Sequence, residues 1–267
     1  MNSARYFSSV ALGFAYLLTS ATTNAQHAEL RYDPWIDGSI TFGVVAAWAG
    51  SQAAMGKIAP KTCRWCESND VDDTARVSLK WHNTRAADGL SNVGGFALMP
   101  LFAFSSALVG SSEPGRQSEL PVDILLVAEA AAVSMGANQA VKIAVGRQRP
   151  FVHAFPPSEM REASSEDNVS FYSGHTTLAF SLAVASGTIA SMRGYRHSTW
   201  VWATGVVMAT SIGYLRIAAD KHYLSDVLVG ALTGSAAGAA IPYFFHGPRP
   251  AVAVTPVPGG FALSGAF

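Results

Sequence analysis

Three short charged islands interrupt the apolar stretches of this chain, and they hold the residues able to do chemistry. In the last, "RIAADKHYLSD", His222 and Asp226 are four residues apart, one turn along one helix face. A carboxylate so placed fixes the tautomer of an imidazole and supports the cation it becomes. In the second, "NVSFYSGHTTLAF", Ser173 stands where a helix N-cap belongs, Gly174 allows a close backbone approach, and His175 lies in the first turn. Free N–H groups and the positive dipole end make that turn an anion site, with His175 beside it as a proton donor. In the first, "VKIAVGRQRPF", Lys142 and Arg149 are two turns apart on one face, and Pro150 helps end the helix. Taken singly, each island also reads as capping, snorkelling or a solvated loop end.

The elements that must position them are helices. Five stretches carry no Asp, Glu, Lys or Arg: 38–56, 89–112, 173–192, 197–215 and 227–248. A sixth apolar segment, about 122–146, is interrupted by Asp123, Glu129 and Lys142. Their lengths and their Ala, Leu and Met content predict an all-α bundle of about six core helices. "VDDTARVSLKW" predicts a short surface helix, and Gly230, Gly234 and Gly238 predict a tightly packed face. The tail "PAVAVTPVPGGFALSGAF" predicts a two-strand hairpin or extended arm. Running down one helix and up the next brings all three islands to one end of the bundle. There, Lys142, Arg149 and Arg216, a helix N-terminus and two histidines surround one small anionic group. Such a pocket suits phosphoryl chemistry, which depends on positioning and charge stabilisation. Without a carboxylate cluster to hold Mg²⁺ or Ca²⁺, neither a metal nor another cofactor is expected.

Composition bounds the rest. The chain is 49% hydrophobic, only 13% charged and formally neutral, which gives no footing for nucleic acid. Mean hydropathy is a modest +0.23. "MNSAR", an apolar run and "TNA" form a secretory signal with cleavage expected after Ala25. Cys63 and Cys66 are too few for a zinc site, and in an oxidising compartment a local disulfide is expected. The expected organisation is a signal at 1–25, an N-terminal helix and polar CxxC loop at 26–89, a helical core at 90–246 and the arm at 247–267.

"KIAVGRQRP" has the form K-x6-R-P, "YSGH" is close to P-S-G-H, and "RIAADKHYLSD" has the form R-x5-H-x3-D. In this order they resemble the signature of the type 2 phosphatidic acid phosphatase and vanadium haloperoxidase superfamily, over roughly residues 90–245. Tyr172 replaces the usual Pro and Leu215 a frequent Ser, which bears on pocket shape rather than on proton transfer. The resemblance implies His222 as nucleophile, Asp226 as its orienting partner and His175 as acid and then base. It implies Lys142, Arg149, Arg216, Ser173 and Gly174 as phosphate holders.

The expected activity is metal-independent hydrolysis of phosphate monoesters through a phosphohistidine, on a phosphorylated lipid or a small soluble ester. The alternatives are a vanadate-dependent haloperoxidase, with His222 on the metal, and a non-catalytic membrane scaffold. The expected place is the periplasm after signal cleavage, membrane-associated or, alternatively, integral to the inner membrane. One constraint is topological. With residue 26 outside and six spanning helices, the three islands emerge in the cytoplasm. A soluble bundle, a first segment that does not span, or an inward-facing site resolves it.

Overall fold

The computed structural model describes residues 29–155, 162–248, 253–257 and 260–264. The expected signal and its cleavage point lie outside them. In chain order the main helices are α1 (Pro34–Ala53), α2 (Asp70–Leu79), α3 (Thr84–Ser111), α4 (Leu120–Val145), α5 (Gly174–Arg193), α6 (Ser198–Ala218) and α7 (Leu224–Phe245). Single helical turns occur at Met55–Ile58 and Pro150–His153. The fold is all-α, and among the described residues α1 and α3 to α7 are the six long helices.

Local chemistry accounts for the boundaries. Asp33 caps α1 by accepting the N–H groups of Trp35 and Ile36, while Pro34 takes the first position. Helix α4 stops at Gly146, whose left-handed φ of 62° suits glycine. Helix α3 begins at Thr84, before the uncharged stretch, because Arg85 and Asp88 fall within its first two turns. In its middle, Gly94–Leu98 is a π-helical turn.

Helix α5 is the axis of the bundle, packing on α7, α6, α4 and α3. Ala179, Leu182, Ala183 and Ile189 of α5 meet Met99, Leu126, Ala130, Ala209 and Ile212 in one buried cluster. The glycines of α7 allow its closest approach. A Cβ at Gly230 would stand 2.8 Å from the Ser173 carbonyl oxygen, one at Gly238 would stand 2.7 Å from that of Ser181, and one at Gly234 would overlap that of Thr177. The tail forms an antiparallel pair, Ala253–Val257 with Gly260–Ser264.

Outside the core, large apolar side chains face outward, among them Trp35, Phe42, Leu101, Val207, Leu232 and Phe244. Among the described residues, four helical segments are long and apolar enough to cross a membrane: Thr84–Ser111, Gln117–Val145, Ser198–Ala218 and Leu224–Phe245. The protein is therefore membrane-associated in character, rather than a bundle with a polar exterior.

Candidate active site

The end of α4, the start of α5, the end of α6 and the start of α7 meet around a cavity of about 290 Å³. Lys142, Arg149, Gly174, His175, Arg216 and His222 all line it. Three islands far apart in sequence thus share one space. Lys142 reaches it from α4 and lies against α5, where a Cβ at Gly174 would stand 3.6 Å from its Nζ. Only glycine leaves that space open, since the same Cβ would stand 3.0 Å from Asn138 Oδ1.

Two guanidinium groups are held from behind. Arg149 donates through Nε to the Glu166 carbonyl at 2.7 Å and through Nη1 to the Lys221 carbonyl at 3.1 Å. Burial lowers its pKa from the ordinary arginine value, opposed by Glu166 and Asp226. Arg216 donates through Nη1 to Asp88 Oδ1 at 2.6 Å and to Ser91 Oγ at 2.8 Å, while its buried Nε has no hydrogen-bond partner among the described residues. A buried cation with an uncommitted donor beside a cavity is a ready anion contact.

His222 is 2% exposed, and its Nδ1 lies 3.5 Å from Asp226 Oδ2. That leaves Nε2 as the nitrogen that can face the cavity. Burial, then the charges of Arg149, Lys142 and Arg216, drive its pKa well below 6.5, with a backbone contact from Ser170 opposing them. Both causes favour the neutral ring. Asp226, fully buried, is held more tightly by others: Arg147 Nη1 at 2.6 Å, Ser170 Oγ at 2.6 Å and the Tyr223 N–H at 3.0 Å. The last of these also caps α7.

His175 lies across the cavity. Its Nε2 is 2.7 Å from Asn92 Oδ1, and since that oxygen only accepts, Nε2 carries the proton in this arrangement. Phe96 packs edge-on against the ring at 4.6 Å between centroids. Phe96 lies within the π-helical turn of α3 and Asn92 two residues before it, and a Cβ on Gly95 of that turn would stand 3.2 Å from His175 Cδ2. Such turns are frequent at functional sites because they re-aim side chains.

One expected phosphate holder is placed differently. Ser173 occupies the N-cap position of α5, but its side chain makes no capping bond. Its Oγ accepts from Thr176 Oγ1 at 2.9 Å, fully buried and not among the groups lining the cavity. The α7 backbone explains this, because the Ser173 N–H donates to the Asp226 carbonyl and turns the residue inward.

A family model of the PAP2 superfamily matches residues 123–253, the span that holds all three islands. Residues 123–253 are thus a PAP2-superfamily segment. Among solved structures, this chain is similar to the first transmembrane PAP2-type phosphatidylglycerolphosphate phosphatase from Bacillus subtilis. The two are 19% identical, over 80% of this chain and 96% of that one, with a TM-score of 0.47. It is also similar to LpxE from Aquifex aeolicus, at 24% identity over 56% of this chain and 90% of that one, with a TM-score of 0.31. No curated protein matches it.

Around the PAP2 motifs, the structure adds residues that spacing did not single out. Arg147 is fully buried, clasped by Asp72 at 2.7 Å and Asp226 at 2.6 Å and sandwiched between Trp65 at 4.0 Å and Tyr223 at 4.1 Å. Asp72 comes from α2, so the expected surface helix also inserts a fully buried carboxylate under the site. Trp65 sits inside the Cys63–Cys66 disulfide loop, which packs against the end of α4 through Arg64 and the Gly146 carbonyl. Asn92 and Asp88 of α3 are cavity-lining residues that no motif contained.

Proposed function

We propose that this protein is a lipid phosphate phosphatase working through a phosphohistidine. His222 Nε2 attacks phosphorus while His175 delivers a proton to the departing alcohol oxygen as the P–O ester bond breaks. Asp226 supports the imidazolium that forms, and Lys142, Arg149, Arg216 and the N–H of Gly174 hold the non-bridging oxygens. In the second step His175 takes a proton from water, water attacks the phosphohistidine, and inorganic phosphate and neutral His222 are released. The observation carrying this reading is the convergence of both histidines and all three cations on one cavity. The carboxylates lining the cavity, Asp88 and Glu166, are engaged by Arg216 and Arg149, which supports a reaction without a metal there.

The lipid is favoured because the cavity is two-sided in character. Trp48, Phe96 and Met135 line it together with the cations, and half-exposed Phe96 lies on a helix long enough to span. An acyl chain can lie against those groups while its phosphate reaches His222. The disulfide at the cavity end supports a site facing the oxidising, extracytoplasmic side.

The test is release of inorganic phosphate from phosphatidate in detergent micelles containing EDTA, beside p-nitrophenyl phosphate as the soluble ester. We expect turnover of the lipid, an acid-labile phosphoryl group trapped on the protein, and loss of both in His222→Ala. Turnover that persists in His222→Ala would falsify the nucleophile assignment. Faster hydrolysis of the soluble ester sinks the lipid preference.

A further inference from the structure

Far from the cavity, three ionisable side chains from three distant segments meet in the interior. Asp37 lies in the first turn of α1, Glu129 in the middle of α4, and His246 directly after α7. They are 7%, 7% and 5% exposed. Each offers one nitrogen or oxygen, and those atoms all lie within 4.8 Å of one another. Trp48, eleven residues along α1 from Asp37, lines the catalytic cavity. At about 1.5 Å per residue, the two clusters are roughly 16 Å apart along that helix.

The proton arrangement there is informative. His246 Nδ1 is 2.9 Å from the Arg31 carbonyl oxygen, which only accepts, so Nδ1 carries a proton. The other nitrogen, Nε2, faces Glu129 Oε2 at 3.2 Å. Both atoms are buried without hydrogen-bond geometry to any group among the described residues. A neutral imidazole lone pair aimed at a carboxylate oxygen is repulsive unless something positive stands between them. Two buried carboxylates beside one imidazole leave the cluster negative even if the ring is a cation, which is costly in an apolar interior. A divalent cation removes both difficulties.

We infer that Asp37, Glu129 and His246 form a binding site for a divalent transition-metal cation of the zinc type, which pins α1 to α4 and to the end of α7. One imidazole nitrogen with two carboxylates suits zinc, whereas calcium and magnesium favour oxygen-only shells. Two ligand atoms 3.2 Å apart can both reach one tetrahedral ion at about 2.0–2.1 Å. The Nδ1 bond to a backbone carbonyl is the arrangement that orients a metal-binding histidine. Asp37 is likewise held from outside, since its Oδ2 accepts the Asp33 N–H at 2.7 Å. The cation's role here is structural, and it leaves the chemistry of the cavity unchanged.

The experiment uses the untagged full-length chain in detergent, stripped with a chelator, reloaded with zinc and desalted. Elemental analysis should find one zinc per chain in the wild type and in His222→Ala, which disables the other buried histidine cluster. Glu129→Gln and His246→Gln should lose that zinc, with affinity down at least about 10-fold, and should lose the rise in Tm that zinc gives the wild type. Cobalt in place of zinc should give the intense visible absorption of a four-coordinate site, a readout on the wild type that no variant's failure to fold can obscure. A wild-type chain that stays metal-free after loading, cobalt showing only its hydrated spectrum, or equal zinc in the wild type and Glu129→Gln overturns the inference.

Discussion

Arg147→Lys removes no charge, yet it should be among the most damaging single changes in the protein. Lysine cannot span Asp72 and Asp226 at once or fill the slot between the rings of Trp65 and Tyr223. Leaving one buried carboxylate without its partner costs about 3–5 kcal/mol, so a large drop in Tm is expected, measured in detergent by intrinsic fluorescence. Asn92→Ala is expected to act differently. It frees the His175 ring without opening the cation cluster, so kcat should fall while KM barely moves. The ceiling is the ~10²–10⁴-fold that a positioned proton donor supplies. His222 makes stability depend on pH. Its folded pKa lies below 6.5, so below that pH the unfolded chain takes up a proton that the folded site refuses. The cost that His222 imposes is therefore absent well above pH 6.5 and grows as pH falls. In His222→Asn, Tm plotted against pH should be flatter on the acid side, and an unchanged slope would remove His222 as the cause.

At the scale of elements, spacing rules were informative where a helix speaks for itself. Uncharged stretches located five of the six long helices and the interrupted apolar segment at 122–146 the sixth, and the four-residue glycine period of α7 pointed to the face that meets α5. Gly234→Ala should cost about 1–3 kcal/mol through overpacking, read as a lower Tm, whereas Gly38→Ala on open α1 should not. The missing parts are contacts between elements. Arg147 and Arg149 are two residues apart in "GRQRP", and nothing in that string says which guanidinium enters the cavity and which is clasped by Asp72, 75 residues earlier. The start of α3 was hidden for a related reason. Its charged Asp88, which interrupts the apolar pattern, is spent on Arg216. Ser173 had the right residue type for a cap, but a backbone bond to α7 claimed its conformation.

At the scale of the molecule, the sequence left solubility open because Ala and Gly dilute hydropathy, and the fold shows where the apolar side chains point. Helix α5 is not among the four segments long and apolar enough to span, although it runs through the middle of the bundle. Its Ser and Thr residues are surrounded by other helices, so they need no lipid compatibility. If the cavity faces outward, a membrane-impermeant thiol reagent applied to intact spheroplasts after mild reduction should label Cys63 and Cys66. Labelling only after lysis would place the site on the inner face.

The contact between α5 and α7 carries one more consequence. Gly230, Gly234 and Gly238 meet the carbonyls of Ser173, Thr177 and Ser181, so two parallel ladders share the same four-residue rung spacing. Matched ladders are ambiguous: sliding one by a single rung, about 6 Å, mates two of the three glycines again. Such a slip would carry His222 away from His175 while the packing hardly noticed. What forbids it has no repeat, namely the Ser173 N–H on the Asp226 carbonyl and the Ser170 hydroxyl on the Asp226 carboxylate. The glycines set how close the two helices lie, and Asp226 decides which rung is the right one.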